Sequence, residues 1–199
     1  MPLKLDIEPY RGVTLSNDGD CVIFRDREIS FFGHQIPDFT RPNLDGVAER
    51  IAKFYDELLF PNYDEMDDFG SLLESGSKSI LTRQLDMEIP TKAKVLELGC
   101  GSGQLSLFLS RFDRSIYGVD LSKGLLMLGE EFKIRHSRKN VQFVRADVFD
   151  LPFKENYFDV IIANGVLHHT ENAREAFFCL HKHLKRGGVI VIGLYHKYG

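Results

Sequence analysis

"KVLELGCGSGQLSLFLS", residues 94–110, runs from a short apolar stretch through three glycines into a segment of helical spacing. "KVLEL" (94–98) predicts a buried strand, and "GQLSLFLSRF" (103–112) places Leu105, Phe108, Leu109 and Phe112 at helical intervals. Glycines this dense let a backbone approach a neighbour closely. A dinucleotide fingerprint built on Gly99 and Gly101 needs glycine or alanine at 104, where Gln104 stands. A phosphate-binding P-loop needs a lysine that does not follow. A tight strand-to-helix turn without a ligand is the third possibility. The pattern present is E-x-G-x-G-x-G: Glu97, Gly99, Gly101 and Gly103.

Outward from this stretch, strands and helices alternate. "SIYGVD" (115–120) predicts a strand, and "SKGLLMLGEEFKIRHS" (122–137) a helix opened by Ser122 as N-cap. "NVQFVRAD" (140–147) and "YFDVIIANGV" (157–166) predict strands, the latter with a "VII" core buried on both faces. "NAREAFFCLHKHLKRGG" (172–188) reads as a helix ended by glycines, and "VIVIGLY" (189–195) as the fifth strand. Such alternation predicts an α/β fold with a doubly wound, mostly parallel Rossmann-like sheet and a site at the strand carboxyl ends. Residues 1–90 are less regular and predict an N-terminal α+β appendage to a core spanning 91–199. Within it, "CVIFRDREISFF" (21–32) predicts a hairpin turning at Arg25–Arg27. A helix is expected at 44–59 with Val47, Ile51, Phe54 and Leu58 on one stripe, and another at 76–88.

The 199 residues suit one domain with an appendage, and 43% hydrophobic with 27% charged residues suits a globular protein. A net charge of −4 argues against non-specific nucleic-acid binding, which needs a basic face. Cys21, Cys100 and Cys179 are far apart with no C-x-x-C pair, so neither a metal site nor a dithiol site is indicated. An odd, sparse cysteine count suits a reducing compartment. The N-terminus shows no signal-peptide core, and no apolar run reaches the roughly 20 residues of a membrane span. The expectation is a cytoplasmic protein with no membrane partner.

Acidic and polar residues recur at the predicted strand ends. Asp120, 23 residues after Glu97, is placed to accept hydrogen bonds from ribose hydroxyls. Asp147 and the amide of Val148 suit an adenine, and Asn164 and Gly165 end the fourth strand. Together they suit a nucleoside with a charged appendage. A carboxylate at Glu97 fits a cationic amine and repels a pyrophosphate.

On these residues the chain from about Lys94 to Tyr195 resembles the class I S-adenosylmethionine-dependent methyltransferases, with a methyltransferase type 11/25-like domain. "VLELGCGSG" is similar to that family's first motif, "YGVDLS" to its ribose motif and "ADVFDLPF" to its adenine motif. "FDVIIANGVLHH" is similar to its fourth-strand motif, and "LKRGGVIVIGLY" to its run into the fifth strand. The resemblance implies S-adenosylmethionine as cofactor, S-adenosylhomocysteine as product and a small-molecule acceptor. It implies that the loop of Gly99, Cys100, Gly101, Ser102 and Gly103 approaches the methionine part and that Glu97 faces its amino group. It further implies that Asp120 and Leu121 hold the ribose, Asp147 and Val148 the adenine, and Asn164 with Gly165 the methionine end. A non-catalytic module binding the same cofactor, or a fragment of a methyltransferase, is the alternative.

His168 and His169 are candidates for a base or a substrate-orienting pair, against a loop pair that only packs beside the cofactor. Tyr55, Phe60 and Tyr63 are candidates for a lid, against ordinary anchoring of the appendage. The family's sheet usually has seven strands; five are visible here and the last two are missing. The expectation is that the apolar fifth-strand edge is covered by a missing C-terminal segment, a second copy of the chain or the N-terminal hairpin.

Overall fold

The computed structural model of the chain describes residues 6–16, 21–41, 46–58, 62–64 and 68–194. A small antiparallel sheet comes first, made of β1 (Val13–Leu15), β2 (Val22–Phe24) and β3 (Arg27–Glu28). The β2–β3 turn sits on Arg25 and Asp26, both left-handed at φ 49° and 62°, the geometry of a tight two-residue hairpin. A second hairpin, β4 (Ser30–Phe32) and β5 (Ile36–Asp38), leaves this sheet and joins the main one. Helices α1 (Gly46–Leu58), α2 (Phe69–Ser77) and α3 (Ile80–Glu88) follow. Then come β6 (Lys94–Leu98), α4 (Gln104–Leu109), β7 (Ser115–Asp120), α5 (Lys123–Arg135) and β8 (Val141–Arg145). The chain continues through β9 (Phe158–Asn164), α6 (Ala173–His181) and β10 (Leu184–Gly193).

The main sheet has the order β10-β9-β6-β7-β8-β5-β4, and its five C-terminal strands are parallel. The α/β doubly wound fold is therefore as the alternating pattern predicts. The strand count differs: the sheet has seven strands, not five. The two additional strands come from the N-terminal region and extend the β8 side, where β5 pairs in parallel with β8 through Asp38 and Arg145. The Arg145 guanidinium donates to the Asp38 carboxylate at 2.8 Å and to Thr40 Oγ1 at 3.0 Å, which fixes the hairpin there. The hairpin thus covers the edge opposite β10, whose outer side pairs with no strand among the described residues.

Several expected boundaries move for identifiable reasons. The helix expected at 76–88 is two helices: the chain breaks at Lys78–Ser79, and the Ser79 hydroxyl caps α3 by accepting from the Thr82 amide at 3.2 Å. Helix α4 stops at Leu109, so Phe112, left-handed and exposed, falls outside the expected stripe. Helix α6 stops at His181, and Gly187 and Gly188 lie inside β10, where the register slips between Leu184 and Val189. A side chain at 188 would come within 2.8 Å of the Asp159 carbonyl, so glycine is required by the strand and not by a helix end. On α1, Phe54 and Leu58 are 56% and 54% exposed, so the expected stripe does not face the core at these positions. The side chains of Val47 and Ile51 lie outside the described residues.

The central strands β6 to β9 are buried on both faces, which explains their near-continuous apolar sequences. Along β6, Leu96 and Leu98 pack with Val119, Val144, Phe158 and α6 on one face. Val95 packs on the other face with Ile116, Phe143, Val160 and residues of α2 to α5. Arg114, 1% exposed, ties α3 to the start of β7. Its guanidinium donates to the Asp86 carboxylate at 2.8 Å and to the carbonyls of Asp86 and Ile89 at 2.7 and 2.6 Å. Arg114→Ala takes from the half-buried Asp86 one of its two guanidinium partners, Arg111 remaining, and leaves the Asp86 and Ile89 carbonyls short of a donor; urea unfolding is expected to show a loss of about 1.5–3 kcal/mol. Gly103 is left-handed at φ 78° and lies flat against the Phe143 ring. Gly103→Ala is expected to cost at least about 2 kcal/mol in the same measurement, combining backbone strain with overpacking.

Candidate functional site

A cavity of about 600 Å³ opens at the carboxyl ends of β6, β7, β8 and β9. This size lies in the usual range for a small-molecule site. Its floor is the loop after β6. Gly99 and Gly101 face the cavity, left-handed at φ 68° and 54°. A side chain at 99 would meet Val166 at 2.8 Å. Ser102 and Gly103 turn under the floor and do not line it. Ser102 is fully buried, and its carbonyl accepts from the Tyr63 hydroxyl at 2.7 Å. Gly129 of α5 lies against the Ser102 carbonyl, so the helix packs on the loop's backbone directly. The glycines thus divide their work: two give access to the cavity, and Gly103 lets the loop pack on Phe143.

Asp120 ends β7 in this floor. One carboxylate oxygen accepts from the Gly101 amide at 2.8 Å and the other from the Ser122 amide at 2.9 Å. Burial raises its pKa while the Ser122, Gly101 and Leu121 amides oppose that rise. Each oxygen keeps a further acceptor position for a ligand hydroxyl. Leu121 also lines the cavity, and its carbonyl accepts from Arg145 Nε at 2.8 Å. Asp147 caps the short turn Val148–Asp150 by accepting from the Phe149 amide at 2.9 Å, and Asp147, Val148 and Phe149 line one wall. Asn164 and Gly165 line the end of β9, Gly165 left-handed at φ 75°.

Glu97 lies at the rear of the floor, 7% exposed, accepting a hydrogen bond from the Ser106 hydroxyl of α4. Burial, opposed by that hydrogen bond and reinforced by Asp120, pushes its carboxyl up to about 8. Cys100 lines the cavity beside it. Burial, then the negative charges of Asp120 and Glu97, push its thiol well up, so it is no nucleophile near neutral pH.

The histidine pair divides. His169 lines the cavity, while His168 does not and rests against it, ring centres 4.1 Å apart. Burial, with a smaller contribution from His168, lowers the His169 pKa and keeps its imidazole neutral at pH 7. The lid candidates divide as well. Tyr55 lines the cavity from α1, held there because the neighbouring Asp56 accepts from the Ser122 hydroxyl and the Gly124 amide, capping α5 from outside. Tyr63 points away, stacked on Phe132 at 4.2 Å, and anchors its segment under the loop. Phe60 lies outside the described residues.

One wall has no counterpart among the residues expected from sequence. Leu72, Ser75 and Gly76 of α2, Ser79, Leu81 and Thr82 at the start of α3, and Thr170 and Glu171 after β9 all line the cavity. Small hydroxylated residues such as "SGSKS" carry no spacing signature. The nearest signal is Gly76, which α2 needs in order to lie against the Phe108 ring. Glu97, Asp120, Asp147 and Glu171 line the cavity, and no lysine or arginine does among the described residues. No group of three metal-ligating side chains is present among them either.

Residues 96–192 match the family described as "Methyltransferase domain". The chain is 32% identical over 160 residues to a 2-phytyl-1,4-naphtoquinone methyltransferase of Nostoc sp., covering 76% of this chain and 67% of that protein. It is 31% identical over 109 residues to a demethylmenaquinone methyltransferase of Staphylococcus aureus, covering 53% and 44%. The chain thus spans about half to two thirds of the length of these curated relatives. A solved Methanococcus maripaludis structure, provisionally assigned as an S-adenosyl-L-methionine-dependent methyltransferase, superposes with a TM-score of 0.57 at 25% identity. That match covers 78% of this chain and 67% of the other. With the motifs in order, the cavity at the strand carboxyl ends and these likenesses, the chain belongs to the class I S-adenosylmethionine-dependent methyltransferases.

Proposed function

We propose that this chain binds S-adenosylmethionine in the cavity and directs methyl transfer to a small molecule with an apolar, ring-sized body. The observation that carries the reading is the make-up of the cavity lining: four carboxyl side chains and, among the described residues, no lysine or arginine. That set suits a cationic ligand and opposes a pyrophosphate, which separates this site from a nicotinamide site more firmly than Gln104 does. The residues present fit the cofactor. Asp120 would hold the ribose hydroxyls, Asp147 and Val148 the adenine, Glu97 the ammonium, and Asn164 with Gly165 the methionine end.

When bound, the sulfonium supplies an already activated methyl group and leaves S-adenosylhomocysteine. The chain's own task is then to align the acceptor, exclude water and manage one proton. Leu72, Leu81 and Phe108 offer an apolar surface for the acceptor, with the Ser75, Ser79 and Thr82 hydroxyls beside it. His169, neutral at pH 7, is the cavity side chain suited to orient an acceptor hydroxyl or take its proton. The two quinone-named relatives support an aromatic acceptor of that kind. No helix among the described residues is long and apolar enough to cross a membrane. We place the reaction in the cytoplasm, in keeping with the sparse, odd cysteine count.

Calorimetric titration of the full chain with S-adenosylhomocysteine is expected to give saturable heat. Asp120→Ala is expected to weaken binding about 10- to 100-fold by removing a charged hydrogen-bond acceptor. Asp120→Asn, which keeps the shape, separates that loss from loosening of the loop, its melting temperature being read in parallel. No heat with either S-adenosylmethionine or S-adenosylhomocysteine sinks the reading. NADH is expected to produce no difference absorbance. Binding without turnover on a panel of hydroxylated aromatics, 1,4-dihydroxynaphthalene included, would favour the non-catalytic module instead.

A further inference from the structure

Glu97 is a carboxyl group where ionisation is costly and no compensating cation is at hand. It is buried, and no ion pair reaches it among the described residues. The titratable groups facing it are acidic or neutral: Asp120 from β7, Cys100 from the loop and Tyr63 from the segment before α2. Asp147, His169 and Glu171 face the same cavity from the β8 and β9 sides. On α4, the fully buried Ser106 gives Glu97 its hydroxyl and its backbone amide, neutral donors that both favour the ionised form. With no cation beside it and Asp120 close by, burial favours the neutral form of Glu97 and pushes its carboxyl up to about 8.

We propose that this chain captures the cofactor's ammonium by proton exchange at Glu97, with Ser106 as the positioning residue that holds the emerging carboxylate. The inference rests on the cofactor reading above and adds what happens to charge on binding. Before binding, Glu97 is a carboxylic acid and the ligand tail carries an ammonium. Afterwards the ammonium faces a carboxylate, the Glu97 O–H bond is broken and the proton is in the buffer; no other bond forms or breaks. The Ser106 hydroxyl favours the ionised form, so it lowers the cost of that step. A neutral Glu97 in the free protein also spares the fold a buried, unpaired charge.

The sign follows from linkage. Below about pH 8 the free protein holds a proton that the complex does not, so affinity rises with pH by up to about tenfold per unit between pH 6 and 7.5. Above that window the carboxylate is ready-made and release fades.

The test is calorimetry of the full chain at pH 7 in buffers of different ionisation enthalpy. The ligands are S-adenosylhomocysteine and 5′-methylthioadenosine, which keeps adenine and ribose but lacks the amino-acid tail. The homocysteine ligand is expected to release about one proton and the thioadenosine none. Glu97→Gln is expected to fold, since it replaces a neutral carboxyl by a neutral amide. It should abolish the release that accompanies S-adenosylhomocysteine binding. Ser106→Ala is expected to shift the pH midpoint of release upward, and Ser106→Thr to restore it; a purely structural role would lower the melting temperature and leave that midpoint in place. Binding of S-adenosylhomocysteine with no buffer dependence at pH 7, or undiminished release in Glu97→Gln, overturns this inference and leaves the cofactor reading standing. Absence of binding by both ligands overturns both.

Discussion

Two backbone amides converge on one carboxylate, and much of the site depends on that convergence. The Gly101 amide belongs to the loop after β6 and the Ser122 amide to the start of α5, and both donate to Asp120 at the end of β7. A parallel strand pair brings the loop and the helix start to the same height. Asp120 then locks them together, with Gly101 and Leu121 open to the cavity. The loop can take this path only because Gly103 and Gly129 bring Phe143 and α5 against its backbone. Packing under the floor and access above it are thus two sides of one constraint.

The N-terminal region is more than a cover. Through Asp38 and Thr40 it engages Arg145, and Arg145 donates onward to the Leu121 carbonyl, beside Asp120. Through Asp56 it caps α5 and sets Tyr55 over the cavity. Through Tyr63 it holds the Ser102 carbonyl from beneath. Three separate contacts therefore lead from residues 38–63 to the loops after β6 and β7. Helices α2 and α3, held to the core by Arg114 and by Gly76 on Phe108, supply the remaining wall.

Electrostatically the cavity is one-sided. Desolvation raises both Glu97 and Asp120, but their partners differ. Asp120 is held by the Ser122, Gly101 and Leu121 amides, whereas Glu97 has the hydroxyl and amide of Ser106 alone and feels Asp120 beside it. One fold position therefore supplies a hydrogen-bond acceptor fixed by amides, and another a carboxyl group with fewer donors.

The alternation of apolar runs with helical spacing was enough to define the parallel core. Burial on both faces writes itself into residues such as Val95, Leu96, Ile161 and Ile162. The strand-end residues Glu97, Asp120, Asp147 and Asn164 were legible for a related reason: a strand end is a fixed place in such a sheet, so a residue's position there implies its direction. What depended on the tertiary structure was everything set by contacts distant in sequence. The β4–β5 hairpin joins the β8 edge through Asp38 and Arg145, a pairing 107 residues apart. His169 enters the cavity while His168 does not, and Tyr55 enters while Tyr63 turns away, choices made by neighbours that no local pattern encodes. The sequence by itself determined the core fold and the acidic strand ends. Only the assembled chain decided which glycine serves packing, which helices wall the cavity and that Glu97 is buried with no cation beside it among the described residues, because each depends on residues brought together from far along the chain.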